Sequence, residues 1–189
     1  MAERPEGLFG RGRGAVTGRL SQLPARWRVP LRGPRQPVST KYAIWSFLSG
    51  TLGILAIYWV TELVGHPLLI GSFGASAVLL FGANESALAQ PRNLIGGHLL
   101  SATVAVGIVA FLGSSPFTTA LAVGLALLVM NLTQTTHPPG GATALIGVQA
   151  SAGPGFIFVP VLAGALILLV VALFTNNVVY HRKYPNHWL

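Results

Sequence analysis

The chain has 189 residues, 52% apolar and 8% charged, with a mean hydropathy of +0.63; soluble domains carry about 25% charged residues, so a water-soluble globule is excluded as the leading class. Residues 1–41 hold a net charge of +7 and residues 42–189 only +1, so the basic character belongs to one end of the chain. Cysteine and aspartate are both absent, which excludes a disulfide framework, a thiol nucleophile and a thiolate metal site, and leaves Glu62 and Glu85 as the carboxylates of the apolar body.

Residues 1–41 mix Arg with Gly and with Pro24, Pro30, Pro34 and Pro37, without a sustained apolar period. This predicts a disordered basic cytoplasmic tail. A polybasic segment just before a membrane span is held by anionic lipid at roughly 1 kcal/mol per basic residue, which weighs against the other use of such a composition, nucleic-acid binding. The apolar stretch after Lys41 is too long for the core of a signal peptide.

Residues 42–180 are expected to form the membrane domain. The 23 residues of 42–64 make about 35 Å of helix, enough for a bilayer core of ~30 Å. Segments 94–113 and 156–175, 20 residues each, also reach. Segments 67–82, 117–131 and 139–150 are shorter and are predicted as tilted helices or half-helices. A shift of 67 residues lays Gly74-Ala75-Ser76-Ala77-Val78-Leu79 on Gly141-Ala142-Thr143-Ala144-Leu145-Ile146, and Gly97-His98-Leu99-Leu100 on Gly164-Ala165-Leu166-Ile167. The expected fold is therefore an all-α helical bundle of two repeats, each a long helix, a short Gly/Ala-rich helix and a long helix, arranged as an inverted repeat. With six crossings Arg92 and the short C-terminal tail 181–189, which carries Arg182 and Lys183, fall on the cytoplasmic side with the N-terminus, while the loops near 65, 114 and 152 carry no Lys or Arg. Four crossings with two re-entrant half-helices would put Arg92 outside.

Ser72-Phe73-Gly74-Ala75-Ser76 and Pro138-Pro139-Gly140-Gly141-Ala142-Thr143 open the two short helices. A helix N-terminus offers free N–H groups and about half a positive charge, so two such ends facing each other would hold a small anion without a buried full charge. The same small residues also satisfy close helix packing in lipid. Arg92, followed by Asn93, is placed to draw anions to a cytoplasmic mouth or simply to set topology. His98 lies one turn into a span beside Gly96 and Gly97, as a proton relay or as a hydrogen-bonded packing residue. His137 precedes the double proline at a helix entrance, within reach of water, as a pore-facing donor. The His spacing matches no metal-ligand pattern, no cofactor is implied, and the sequence lacks a nucleophile elbow or a phosphate-binding loop, which points away from an enzyme.

The run His137-Pro138-Pro139-Gly140-Gly141-Ala142-Thr143-Ala144-Leu145, with Ser72 to Phe81, Ala89 to His98 and Asn176-Asn177, resembles the HPP family of integral membrane proteins over residues 40–185. The resemblance implies a membrane fold usually described with four spans, and nitrite transport, with which cyanobacterial and chloroplast members are associated. The basic tail does not resemble a Ser-rich plastid presequence, so a bacterial inner membrane is expected, with both termini cytoplasmic. The expected function is transport of a small monovalent anion, nitrite ahead of nitrate, formate and chloride, with proton coupling through His98. The partners are that anion and the bilayer, nucleic acid is disfavoured, and a homo-oligomer is compatible. The alternatives are a passive anion channel and a non-transporting scaffold with a lipid-binding tail.

Overall fold

The computed structural model describes residues 39–188; the tail expected over 1–41 lies almost wholly outside them. They form six α-helices: α1 (Thr40–Val64), α2 (Gly71–Gly82), α3 (Pro91–Leu112), α4 (Pro116–Leu132), α5 (Pro138–Gln149) and α6 (Ala163–Val178). A 3-10 turn, Ala87–Ala89, precedes α3, and a π-helical segment, Ile157–Leu162, leads into α6. No strand occurs among the described residues.

Local chemistry sets most of these ends. Ser39 caps α1 by accepting from the Tyr42 N–H, and Gly65 closes it in the left-handed conformation at φ 68°. Pro91 and Pro116 occupy first-turn positions, where a missing N–H costs nothing. Ser115 and Thr118 bond reciprocally in a capping box.

Three helices are long and apolar enough to cross a membrane: Thr40–Val64, Pro91–Leu112 and the run Ile157–Val178. The last is not the continuous helix expected over 156–175. Val159 leaves helical geometry (φ −132°, ψ 114°) just ahead of Pro160, because the ring disfavours a helical residue before it and removes an N–H from the ladder. The segment expected over 67–82 is helical only from Gly71, and the segment expected over 139–150 is helical over Pro138–Gln149. Each helix has twelve residues, about 18 Å, too short to cross alone. Each follows a non-helical run, 67–70 or 135–137, and an extended residue adds about 3.3 Å. Together each pair spans close to the ~30 Å of a hydrocarbon core.

Hydrogen bonds fix which ends lie together. Tyr42 Oη donates to Asn84 Oδ1 at 2.7 Å, Asn84 Nδ2 to the Lys183 carbonyl at 3.2 Å, and Tyr184 Oη to the Ala89 carbonyl at 2.8 Å. The start of α1, the loop after α2 and residues 182–186 thus share one end of the bundle, here called the basic end. In the segment 181–188 Tyr184 and Arg182 are packed, at 2% and 7% exposed, while His181, Lys183, Asn186, His187 and Trp188 are exposed.

Two apolar clusters form the interior. One joins α1, α2 and α6 through Ile57, Phe73, Leu80, Phe81 and Leu168; the other joins α3, α4 and α5 through Ala105, Ala122, Ala126, Met130 and Val148. The two short helices, α2 and α5, meet between them, side by side and antiparallel, since Ser72 touches Thr143 while Ser76 touches His137.

Candidate functional site

Five polar side chains converge where α2, α3 and α5 meet. Ser76, His98, His137 and Thr143 have no exposed surface, and Ser72 is 1% exposed. His98 Nδ1 lies 2.8 Å from Thr143 Oγ1 and its Nε2 2.8 Å from Ser76 Oγ. Ser76 Oγ also lies 2.9 Å from His137 Nε2, while His137 Nδ1 lies 2.8 Å from the Leu88 carbonyl oxygen. Thr143 Oγ1 stands 2.8 Å from Ser72 Oγ. The two imidazoles meet edge to face with centroids 4.9 Å apart, and Phe73 packs on the other side of His98 at 5.2 Å.

Backbone proximity holds the cluster together. A methyl group added at Gly140 would stand 2.8 Å from both the Gly97 carbonyl oxygen and Ser101 Oγ, so α3 and α5 cross glycine on glycine. That crossing puts His98, one residue beyond Gly97, and His137, the residue capping α5, beside each other. His137 is therefore buried, not the water-reachable donor its place at a helix entrance suggested.

The other sequence candidates separate into two groups. Arg92 Nη2 donates to the Thr133 carbonyl at 2.8 Å and Asn93 Nδ2 to the Thr136 carbonyl at 2.9 Å. Both staple the turn before His137 and make no bond to the cluster. Gly74 and Ala75 face outward, a methyl group at Gly74 would meet nothing within 4 Å, and Gly141 and Ala142 are half-buried. The α5 N-terminus is also short of donors: Pro138 and Pro139 have no N–H, and the Gly140 N–H already donates to the His137 carbonyl at 2.8 Å. The polar surface at the meeting of the half-helices is thus made mainly of side chains, not of free backbone N–H groups. Among the described residues no three His, Asp or Glu side chains gather as metal ligands would.

A second buried polar site, at the basic end, was not apparent from the sequence. Arg182 donates through Nη1 to the Phe81 carbonyl and Asn176 Oδ1, and through Nη2 to the Tyr42 carbonyl and Ser46 Oγ, at 2.7–2.9 Å. Its guanidinium also lies 3.9 Å over the Tyr42 ring. Burial lowers its pKa from the ordinary value, and the interaction with Tyr42 acts the other way. Burial raises the Tyr184 phenol above its ordinary value, keeping it a donor to Ala89. The local signal for this site was Asn176-Asn177 at the end of an apolar run.

A helical bundle with membrane-length spans and a buried side-chain network at its centre is a polytopic membrane protein. The comparisons give the family: residues 35–185 match the family described as HPP, transmembrane region, and the chain belongs to it. A transmembrane protein of Dictyostelium discoideum is 48% identical over 156 residues, covering 76% of this chain and 50% of that protein. A second Dictyostelium transmembrane protein is 44% identical over 176 residues, covering 86% of this chain and 62% of its own length. The chain thus spans about half to three fifths of these curated relatives. No solved structure matches it.

Proposed function

We propose that this chain transports a small monovalent anion across a membrane together with a proton, with nitrite ahead of nitrate, formate and chloride as the substrate, and that it performs no enzymatic turnover. The observation that carries the reading is the buried cluster of His98, His137, Ser72, Ser76 and Thr143. Polar groups at membrane depth are expensive, and titratable ones there mark ion and proton pathways. The cluster contains no carboxylate, so it offers a cation no counter-charge. A weak-acid anion suits it, because moving a proton with the anion avoids working against about 2.3 kcal/mol per charge per 100 mV. Nitrite is favoured by the family resemblance.

The two clusters of the fold support an inverted repeat. A shift of 67 residues turns the bounds of α2 into those of α5, and pairing α1 with α4, α2 with α5 and α3 with α6 exchanges one apolar cluster for the other. Transporters built this way place substrate where half-helices meet. We place the basic end on the cytoplasmic side of an inner (plasma) membrane, since Lys41, Arg92, Arg182 and Lys183 gather there and the opposite loops have no Lys or Arg. The basic residues preceding α1 would hold anionic lipid on that side.

Uptake by liposomes holding purified protein, run with nitrite, nitrate, formate and chloride and with a pH gradient imposed or absent, tests the transport reading. Saturable nitrite uptake that rises with the gradient is expected. Uptake no faster than in empty liposomes overturns transport, and unsaturable uptake blind to the gradient means a passive channel. Orientation is read separately by a single cysteine at Glu85, which should resist impermeant label in intact cells.

A further inference from the structure

The two half-helices are covered unevenly. α6 packs on α2 and α3 on α5, while α1 flanks α2 and α4 flanks α5. The remaining side is open. Gly71, Ala75 and Val78 lie along one line of α2 and are exposed, and the 67-residue shift carries them onto Pro138, Ala142 and Leu145 of α5, of which only Ala142 is half-buried. The same repeat that brings the half-helices together thus leaves a bare strip across both of them. The strip runs along the bundle and faces sideways, where a membrane protein meets either lipid or protein.

Lipid does not suit this strip. Glycine has no side chain, so the exposed surface of Gly71 is backbone, and a methyl group there would meet only Ile146 Cδ1, at 3.8 Å. Gly71 opens α2 about 18 Å from the basic end, near the middle of a core of ~30 Å. In the extended run before it the Leu68 N–H donates to Thr61 Oγ1 at 3.2 Å, and the next paired amide is that of Phe73, to the Ile70 carbonyl at 3.0 Å. The N–H groups of Leu69, Ile70 and Gly71 bond no described residue. Non-helical backbone at membrane depth persists only where protein covers it or where it lines a water-filled cavity. The strip opens sideways and not to an aqueous end, and no charged residue lines the grooves on its two flanks. Protein is the cover that remains.

We propose that two copies of this chain pack face to face on the strip, as a dimer about a two-fold axis along the membrane normal. Both copies then keep one orientation in the membrane, and the assembly closes because the same face is used twice. The small residues of the strip let the half-helices of two copies approach closely. The flanks match as well, because this axis sets α1 of one copy against α4 of the other. α1 presents the exposed Phe47, Leu55 and Tyr58 beside a groove of about 660 Å³. α4 presents the exposed Ala120 and Gly124, and a methyl group at Gly124 would meet nothing within 4 Å. Bulk on one wall faces room on the other. Each copy keeps its own central cluster, so the inference rests on the membrane-spanning fold and not on the transport reading, and copy number rather than uptake tests it.

The full chain has no cysteine, so one introduced thiol reports one place. A fluorophore on Glu85→Cys, followed in liposomes at low protein density, should bleach in two steps per particle. Single steps mean that lipid covers the strip and overturn the dimer, and three or more steps overturn the two-fold. Adding Ala75→Trp should weaken self-association at least about tenfold by overpacking the strip, whereas Val170→Trp, on the exposed side of α6, should leave two steps. Equal effects of the two tryptophans overturn the choice of face. Cysteine is close to alanine in size, so a second arm holds even where the tryptophan variant does not fold. Copper phenanthroline, which oxidises two adjacent thiols to a disulfide, should join copies at one or more of Ala75→Cys, Val78→Cys and Leu145→Cys and not at Val170→Cys. Joining at none of the three, or at Val170→Cys alone, overturns the proposal. So does reaction of Ala75→Cys with a charged, membrane-impermeant maleimide, which would make the strip a water-filled path.

Discussion

Two buried polar sites sit in one small bundle, and they differ in what their donors bond to. At the basic end Arg182, Gln90 and Tyr184 send their hydrogens mostly to backbone carbonyls: Phe81 and Tyr42 for Arg182, Asn84 and Ser86 for Gln90, and Ala89 for Tyr184. A carbonyl accepts and never donates, so these bonds have one direction and only hold the chain together. At the centre four of the seven links join hydroxyls and imidazoles, groups that can reverse donor and acceptor roles, and three run to the Ser72, Leu88 and Pro139 carbonyls. Burial alone does not separate the sites, since both are enclosed. The difference teaches that a fixed acceptor builds a staple, whereas an amphoteric partner builds a path.

The largest expected effect breaks the staple. Arg182 is a buried cation without a carboxylate, solvated by four acceptors from α1, the end of α2 and α6. Arg182→Ala leaves those acceptors unpaired and separates three elements, for a loss of roughly 3–5 kcal/mol, as when a buried charged partner is removed. Arg182→Lys should rescue little, because one ammonium cannot serve two forks. Denaturation in detergent measures the loss, with His98→Gln as the comparison. That variant keeps hydrogen bonding and should cost no more than about 1.5 kcal/mol. Equal losses from Arg182→Ala and His98→Gln would erase the distinction between staple and path.

How far the sequence carried the argument follows the range of the interactions. The long apolar runs and the 67-residue offset are local, and each helix but α6 was legible within a few residues of its bounds; α6 starts at Ala163, after the break at Val159, and not at residue 156. The cluster was legible in part, since Ser72, Ser76, His98, His137 and Thr143 were all singled out, but as two helix ends and a lone histidine. Joining them takes contacts across 22, 61 and 71 residues, which no local pattern encodes. The Leu88 carbonyl and the Arg182 site were illegible for the same reason, with partners 49 and 101 residues away. One constraint was readable from composition: Pro138 and Pro139 suit a first turn because they lack N–H groups, and that same lack leaves fewer backbone donors there for an anion.

A smaller effect sharpens the comparison by touching the path without touching its polar atoms. Gly140 and Gly74 both lie within the first turns of the short helices, but their surroundings are opposite. A methyl at Gly140 meets the Gly97 carbonyl oxygen and Ser101 Oγ at 2.8 Å, whereas a methyl at Gly74 meets nothing within 4 Å. Gly140→Ala must push α5 away from α3 and with it His137 away from His98, at a cost of about 1–3 kcal/mol from overpacking. The gradient response should fall even though every hydroxyl and imidazole remains. Gly74→Ala should do the reverse: it stiffens α2 and adds about 0.5–1 kcal/mol of helix preference with no clash. Even Gly74→Val has room. If a small anion needed bare backbone at Gly74, valine there would stop uptake in a stable protein. The structure instead predicts near-parental uptake for Gly74→Val and loss of gradient response for Gly140→Ala, measured side by side in the same liposomes. The reverse ranking would return the site to the helix N-termini and away from the side-chain network.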